Sequence, residues 1–381
     1  MSRSGRRGFL RVLCLLGVGI VVAACATSSS GSTGGASKQF PASIYSPKIF
    51  KGLSGNLEYY DESGGAVAAA KQDSVFADFT KLTGVTVTAN FTDGSDTKFL
   101  AAEQNGGSIP WDLIEMDPGA FLEAEHDGYL DAMDTSIVPV QDLATGTYDK
   151  YGYQTEDNGE VLAWNTKVFP LSGKHPTSVT DLYNMTEFPG KRCIANEVWG
   201  EETLESALLA DGVPRTNLYP LDVNKALSKL ATISKDVVWT TSGTQADQDI
   251  IDGECVMGMT FNGRVYQAIT TAHEPIAMTW GDALYTYEYW AVPKGAPDPK
   301  LGQAMLAFWI LDHPGQIKYT KETTYATAGI KGLPLSAYPA SVRPYMAVGA
   351  NLADATIENE TYYAANQANL TKIFDAWIVN H

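Results

Sequence analysis

The sequence predicts an α/β fold with mostly parallel sheets, because helix and strand patterns alternate along most of its length. Residues 85–91 read V-T-V-T-A-N-F, with an apolar side chain at every second position, as in a strand with one buried face. Ahead of this strand, residues 75–82 place apolar side chains at helical spacing. Gly84 lies between the two, and glycine commonly ends helices.

The same alternation continues toward the carboxyl terminus. Apolar stripes predict helices over 223–233 and 301–309, and Pro314 is expected to stop the second of them. Four short apolar runs between helices are expected to be further strands; they cover residues 112–114, 161–164, 255–259 and 289–292.

The amino-terminal segment is typical of an export signal that ends in a lipid attachment site. Four arginines precede an apolar stretch over residues 12–24, which is too short to cross a bilayer, where about 20 residues are needed. The run V-A-A-C that ends at Cys25 resembles the motif at which lipoprotein precursors are cut and acylated. We therefore expect a signal peptide over 1–24, and a lipid-anchored Cys25 with a flexible linker over 25–47. The paired arginines at positions 6 and 7 also resemble a twin-arginine signal, which leaves two export routes open.

The chain is strongly acidic. Its formal charge is −17, and without the four arginines of residues 1–24 it has 23 basic against 44 acidic residues, or −21. Phosphate binding requires clustered Lys and Arg, so we expect no nucleic-acid partner. Some of the acids could instead bind a cationic ligand.

Motifs for catalysis and for metal binding are missing from the sequence. It has no nucleophile elbow, P-loop or zinc-protease helix, and its five histidines form no pair at ligand spacing. The acidic run 247–254 lacks the third acid of a calcium loop, because Ile251 stands there; a helix that ends at Gly253 explains it better. We expect no enzyme activity, no cofactor and no metal. Cys193 and Cys255 could pair or stay reduced, and the sequence leaves both open.

Several segments resemble, in order and spacing, those of bacterial extracellular solute-binding proteins. The subgroup is the one that includes the spermidine/putrescine receptors of ABC importers. A strand and glycine turn over 57–65 is followed by the pattern F-x-x-x-T-G-hydrophobic-x-V over 79–87. The remaining segments are W-D-L-I at 111–114, F-P-G-K at 188–191, A-L-L-A-D-G-V at 207–213, F-N-G-R at 261–264 and W-A-V-P-K-G-A at 290–296.

The resemblance implies a two-lobed clamshell, the type II periplasmic-binding-protein fold, with a mostly parallel sheet flanked by helices in each lobe. The 357 residues after position 24 are enough for two such lobes. We expect lobe 1 over 48–163 and 289–335, lobe 2 over 164–288, and helices over 336–381 that pack on the lobes. The resemblance also implies a monomer that takes up a small molecule between its lobes and delivers it to an ABC permease.

Segments that align with the family suggest ligand-binding residues. In the polyamine receptors carboxylates clamp ammonium groups and aromatic rings flank the methylenes. By analogy, Asp117, Glu197 and Glu288 are expected to bind amines, and Tyr325 to line the pocket. The further candidates are Trp199, Phe261 and Tyr287 as aromatic faces, Arg264 as the partner of a carboxylate, and the backbone of Ser63 and Gly64 as donors at a helix start.

The first expectation for the ligand is a polyamine-like amine. Two departures from the polyamine receptors favour an alternative, a zwitterion such as a γ-amino acid or an opine: the glycine turn after the first strand, and Arg264. An envelope hydrolase on the same fold is the alternative of another class, but the sequence offers no nucleophile with a base at a known spacing. A ferric-ion receptor would need adjacent tyrosines such as Tyr59 and Tyr60 on one face, whereas neighbours on a strand point to opposite faces.

Overall fold

The computed structural model describes residues 47–92, 96–196, 203–327 and 329–381. Its helices are α1 (Pro47–Phe50), α2 (Gly65–Lys71), α3 (Ala77–Thr83), α4 (Thr97–Gln104), α5 (Pro118–Asp127), α6 (Thr203–Ala210), α7 (Val223–Ala231), α8 (Gly243–Asp252), α9 (Asn262–Gln267), α10 (Pro299–Leu311), α11 (His313–Thr323) and α12 (Glu360–Ile378). Its strands are β1 (Asn56–Asp61), β2 (Thr86–Phe91), β3 (Leu113–Met116), β4 (Leu130–Asp131), β5 (Gly152–Asn165), β6 (Arg192–Ala195), β7 (Val237–Thr240), β8 (Met257–Phe261), β9 (Ile276–Pro293) and β10 (Thr356–Ile357). A π-helical stretch, Gln72–Phe76, joins α2 to α3.

One sheet path links eight of these strands in the order β2-β1-β3-β9-β5-β8-β6-β7. At one end β1 is parallel to β2 and β3, and at the other end β6 is parallel to β7 and β8. Between them, the long strands β5 and β9 are antiparallel to each other and to their outer neighbours. Two parallel groups joined by an antiparallel pair confirm the predicted mostly parallel sheets.

Separate apolar cores form around the two ends of this path. Tyr59, Phe79 and Trp290 belong to the core on the β1 side, and Trp164 and Leu208 belong to the core on the β6 side. Each parallel group also has apolar side chains on its second face. This is the two-lobed α/β arrangement expected from the sequence, with β5 and β9 running through both lobes. The expected lobe limits, 163/164 and 288/289, fall inside these two strands.

Several predicted elements are confirmed in detail. β2 matches the alternating run 85–91, and α3 ends before Gly84, whose φ is 80°. The acidic run 247–254 is the end of α8, followed by Gly253 with φ 86°. The carboxyl-terminal region contains three short 3₁₀ helices, Leu335–Ala337, Arg343–Tyr345 and Gly349–Leu352, followed by β10 and the long helix α12. Pro314 follows the end of α10, as expected, and it also lies in the first turn of the next helix, α11, where proline is tolerated.

Cys193 and Cys255 form a disulfide with a Cα–Cα distance of 5.6 Å. Cys193 lies in β6, Cys255 shortly precedes β8, and these two strands pair in parallel. The structure therefore selects one of the two states that the sequence left open. None of the helices in the described residues combines the length and the apolar character that a bilayer crossing requires.

Candidate functional site

Three carboxylates meet where two parallel strands end. β1 leads into Glu62, β3 leads into Asp117, and Asp96 precedes the first residue of α4. Because β1 and β3 are parallel neighbours, their carboxyl ends lie at the same sheet edge, where α/β folds commonly bind ligands. One carboxylate oxygen of each residue lies within 4.8 Å of those of the other two. We call Glu62, Asp96 and Asp117 the acid cluster.

Part of the acid cluster is buried without hydrogen bonds. Glu62 is 8 % exposed, and neither of its carboxylate oxygens has a partner in the described part of the chain. Asp96 accepts the backbone N–H of Asp117 at 3.2 Å through Oδ2, but its buried Oδ1 has no partner within the described ranges. Burial raises the pKa of Glu62 well above its usual value, and the charge of Asp117 raises it further. A cation would therefore stabilise this site.

Glu288 adds a fourth carboxylate from β9. It lies directly opposite Glu156 in the pairing of β5 with β9. Its Oε2 is buried and has no hydrogen-bond partner among the residues that the structure covers. Burial raises the pKa of Glu288, and Asp117 raises it further; Glu288 in turn raises the pKa of Glu62. Glu288 therefore belongs to the same electrostatic region as the acid cluster.

A second group of buried carboxylates has its own internal cation. Lys71 of α2 forms an ion pair with Glu115 of β3 and another with Glu156 of β5, the latter at 3.3 Å. The Trp290 indole donates to Glu115 at 3.4 Å, and the Tyr319 hydroxyl donates to Glu156. Burial alone would raise the pKa of Glu115, but the charge of Lys71 and the hydrogen bonds from Lys71 and Trp290 together hold this pKa below its usual value. We call Lys71, Glu115 and Glu156 the lysine network.

Sequence reasoning missed the lysine network, although two signals point to it. Lys71 ends a helix of small residues, G-A-V-A-A-A-K, and Glu115 stands in an apolar strand, L-I-E-M. An isolated charge in each of two apolar segments is rarely left unpaired, so the two could have been predicted to meet.

The turn predicted to bind an anion holds two of the protein's own carboxylates. The Ser63 hydroxyl donates to Glu115 at 3.1 Å and accepts from Lys71 at 2.9 Å. The Ser63 N–H also donates to Glu115, at 3.4 Å. Burial raises the pKa of Asp61, at the start of the same turn, to about 6, although the backbone of Gly64 and Ser63 lowers it. The role of Ser63 and Gly64 in ligand binding stays a prediction; an anionic ligand group would have to displace Glu115 from Ser63.

Arg264 and Tyr325 form another polar region. Arg264 donates through Nη1 to the Thr244 hydroxyl at 2.7 Å, and its buried Nε has no partner in the ranges described. A Cβ on the preceding Gly263 would lie 2.7 Å from the Tyr325 ring, so this ring packs against the first turn of α9. Burial raises the pKa of Tyr325, Arg264 lowers it and Glu288 raises it. Tyr325 is therefore within electrostatic reach of both a cation and an acid.

Tyr287 faces away from Glu288, because neighbouring residues on a strand point to opposite faces. Its ring packs between those of Tyr285 and Tyr289, with ring centroids 5.8 and 5.7 Å away. Its hydroxyl is hydrogen-bonded to Glu360 of α12. Tyr287 is part of a packed strand face, and its stacking on a ligand stays a prediction.

Of the three remaining ligand-binding candidates, only Phe261 lies among the described residues. Phe261, the last residue of β8, is partly buried and packs against the apolar core on the β1 side. It therefore lies where the two lobes meet. Glu197 and Trp199 lie outside the described residues, and their roles stay predictions.

Known proteins resemble the chain over most of its length. Residues 74–340 match the family described as bacterial extracellular solute-binding protein. The gamma-aminobutyric acid-binding protein of Pseudomonas aeruginosa is 30 % identical over 322 residues, which cover 82 % of this chain and 88 % of that one. The spermidine/putrescine-binding periplasmic protein 1 of Haemophilus influenzae is 26 % identical over 201 residues, covering 51 % and 54 %.

A solved structure shares the fold. The binding protein AgtB of A. tumefaciens R10, in complex with agropinic acid, is 25 % identical with a TM-score of 0.75, covering 85 % of this chain and 99 % of its own. The two-lobed type II architecture, the carboxylates at the strand ends and the match over residues 74–340 agree with one another. The chain therefore belongs to the bacterial extracellular solute-binding proteins.

Proposed function

We propose that this solute-binding protein captures a small solute with a protonated amine, and that the acid cluster and Glu288 bind the amine. The observation that carries the proposal is Glu62, whose buried carboxylate has no hydrogen-bond partner among the described residues although two further carboxylates lie within 4.8 Å. An ammonium group would bring one positive charge and three N–H donors into this space. The ligand would thus supply the partner that the protein leaves out.

Among amines, a zwitterion is supported by a specific observation. Arg264 has a buried Nε without a partner in the described chain, and a guanidinium binds a carboxylate through two parallel hydrogen bonds. The charges of Arg264 and Glu288 both act on the pKa of Tyr325, which supports one site with a cation on one side and an acid on the other. The relative that matches most of this chain is named for γ-aminobutyric acid. A γ-amino acid or an opine therefore fits better than a polyamine, which has no anionic end.

The role in transport follows from the family. Proteins of this kind bind their ligand outside the cytoplasm and deliver it to the permease of an ABC transporter. Closure of two lobes around the ligand buries it and creates the surface that the permease recognises. We infer that the chain acts as a monomer and as a binding protein rather than as an enzyme.

Anchoring through Cys25 completes the proposal. The V-A-A-C run supports acylation of this cysteine after export, by the twin-arginine or the general route. Cys25→Ser should leave the protein unprocessed or soluble, because the thioether requires the thiol. A Cys25→Ser protein that stays in the membrane fraction with a processed mass would contradict the anchor.

Calorimetry on matched variants tests the amine site. We expect wild-type protein to bind one of γ-aminobutyrate, putrescine or an opine, and Glu62→Gln to weaken that ligand by about thirtyfold or more, since a buried charge pair loses one partner. Glu254→Gln makes the same chemical change at an exposed position outside the site and should leave affinity unchanged. Equal affinities for wild type and Glu62→Gln would refute the assigned site.

A further inference from the structure

Phe91 is an exposed aromatic residue at the edge of the acid cluster. Its side chain is 52 % exposed, whereas every other phenylalanine and tryptophan of the described residues is buried or half-buried. It ends β2, an edge strand on which Val87 is buried but Ala89, on the same face as Val87 and Phe91, is exposed. The ring therefore lies outside the apolar core, and the groups that it contacts instead decide its role.

The ring lies against the turn that carries Glu62. A Cβ built on Gly64 would come within 2.1 Å of Phe91 Cε2, so the ring occupies the space that a side chain at position 64 would need. Gly64 also has φ +60°, a backbone conformation that favours glycine. The turn and the ring are therefore fitted to each other, and only Ser63 separates Glu62 from the glycine that the ring covers.

The chain on both sides of Phe91 is tied to the same site. In the pairing of β1 with β2, Phe91 lies opposite Asp61, and the next residue, Thr92, donates its N–H to the Asp61 carbonyl at 3.1 Å. A few residues further on, Asp96 enters the acid cluster. Phe91 is thus held between two backbone positions that border the acid cluster, Asp61 and Asp96.

The glycine turn explains why this ring comes from β2. After β1 this chain has Glu62, Ser63, Gly64 and Gly65. The absence of side chains at the two glycines leaves room for a ring from the neighbouring strand. An aromatic face attracts an ammonium group through its quadrupole and packs against methylene groups, and the attraction grows as water is excluded.

We propose that Phe91 is the aromatic wall of the amine site and a determinant of ligand specificity. This inference rests on the proposed function and adds a residue to it. The carboxylates of the acid cluster neutralise the ammonium group, and the face of Phe91 covers its remaining side and the first methylenes of the ligand. Amines with an alkyl chain next to the nitrogen are therefore favoured over ammonium ion itself.

Titration calorimetry with γ-aminobutyrate and putrescine tests the wall. For whichever of the two binds wild type more tightly, Phe91→Ala should lose about tenfold in affinity, within the two- to thirtyfold range of a cation–π contact. Phe91→Leu should lose a similar factor, because leucine covers the turn but has no π face. Leu82→Ala removes another exposed apolar side chain of the same lobe, on α3, and should bind like wild type.

The outcomes separate this inference from the proposed function. Wild-type protein that binds neither probe overturns the wall; if it also binds no opine, the proposed function falls with it. The wall alone is overturned if wild-type protein binds a probe and Phe91→Ala binds it with an affinity within twofold of wild type. It is also overturned if Phe91→Leu binds with the affinity of wild type. Thermal unfolding of each variant in the absence of ligand should match wild type, because the ring is exposed; a lowered melting temperature for Phe91→Ala would assign the ring to the fold and overturn the wall.

Discussion

Glu62 and Glu115 are neighbours in lobe 1, yet their charges are balanced in different ways. The backbone N–H of Glu62 donates to Glu115 Oε2 at 3.1 Å, so the two residues touch. Glu115 has the buried cation Lys71, and its pKa is held below the usual value; Glu62 has no hydrogen-bond partner for its carboxylate in the described chain, and its pKa is raised. The ion pair with Lys71 lets Glu115 stabilise the fold, whereas the Glu62 carboxylate would gain a partner only from a bound cation.

The largest effect is expected where the internal cation is removed. Lys71→Met leaves Glu115 and Glu156 buried without their partner and should cost about 3–5 kcal/mol of unfolding free energy. Urea denaturation measures the loss. Lys81→Met, at an exposed position of α3, makes the same chemical change and should stay within about 0.5 kcal/mol of wild type. If Lys71→Met unfolds with wild-type free energy, the contrast between the two carboxylates is lost.

A second prediction concerns the two ends of the ligand. Glu288→Gln should weaken any amine by about thirtyfold or more, because a buried charge pair loses about 2–5 kcal/mol. Arg264→Gln should cost as much for a γ-amino acid or an opine, whose carboxylate is then stranded, but nothing for a polyamine. Calorimetry on both variants decides between these ligand classes. Wild-type affinity in both would show that neither residue contacts the ligand.

The smallest effect concerns ligand-free stability and its pH dependence. The pKa of Glu62 is raised in the folded state, so its charge destabilises the fold at neutral pH, and the penalty disappears as pH falls through that pKa toward about 4.3. At pH 7.5 the free energy of unfolding of Glu62→Gln should therefore exceed that of wild type by about 1–3 kcal/mol. The difference should vanish near pH 4.5, at about the ordinary pKa of a glutamate.

Glu115→Gln should change the free energy of unfolding in the opposite direction, and the same comparison of melting curves at two pH values tests it. The pKa of Glu115 is lowered in the folded state, so its charge stabilises the fold above about pH 4.3 and stops doing so as pH falls through the lowered value. This variant should be less stable than wild type at pH 7.5. Melting curves of both variants that shift in the same direction would contradict the assigned charge balance.

Much of the fold follows from local patterns in the sequence. β2, α3 with Gly84, and α8 with Gly253 were predictable because period and end signals agree within a few residues. The 3₁₀ helices before α12 were not predictable in this way, because elements of three or four residues are too short to show a period. The order of the strands in the sheet was not predicted, since periodicity does not state which strands pair.

The site was only partly predictable for a physical reason. Asp117 and Glu288 stand at positions that the family pattern marks, and the structure places them in one electrostatic region. Asp96 and Lys71 lie far from both in sequence, and only folding brings them close. Whether Tyr287 faces a ligand or a neighbouring ring depends on which face of β9 is the packed one, and an alternating run gives no answer to that question.

The disulfide turns part of lobe 2 into a covalent ring. Cys193 and Cys255 are 62 residues apart, so the chain from the second residue of β6 to a point just before β8 lies between two linked sulfurs. A protease that cuts once inside this ring would not release a fragment. The nicked protein should therefore migrate as one band on a denaturing gel without reductant and as two bands after reduction.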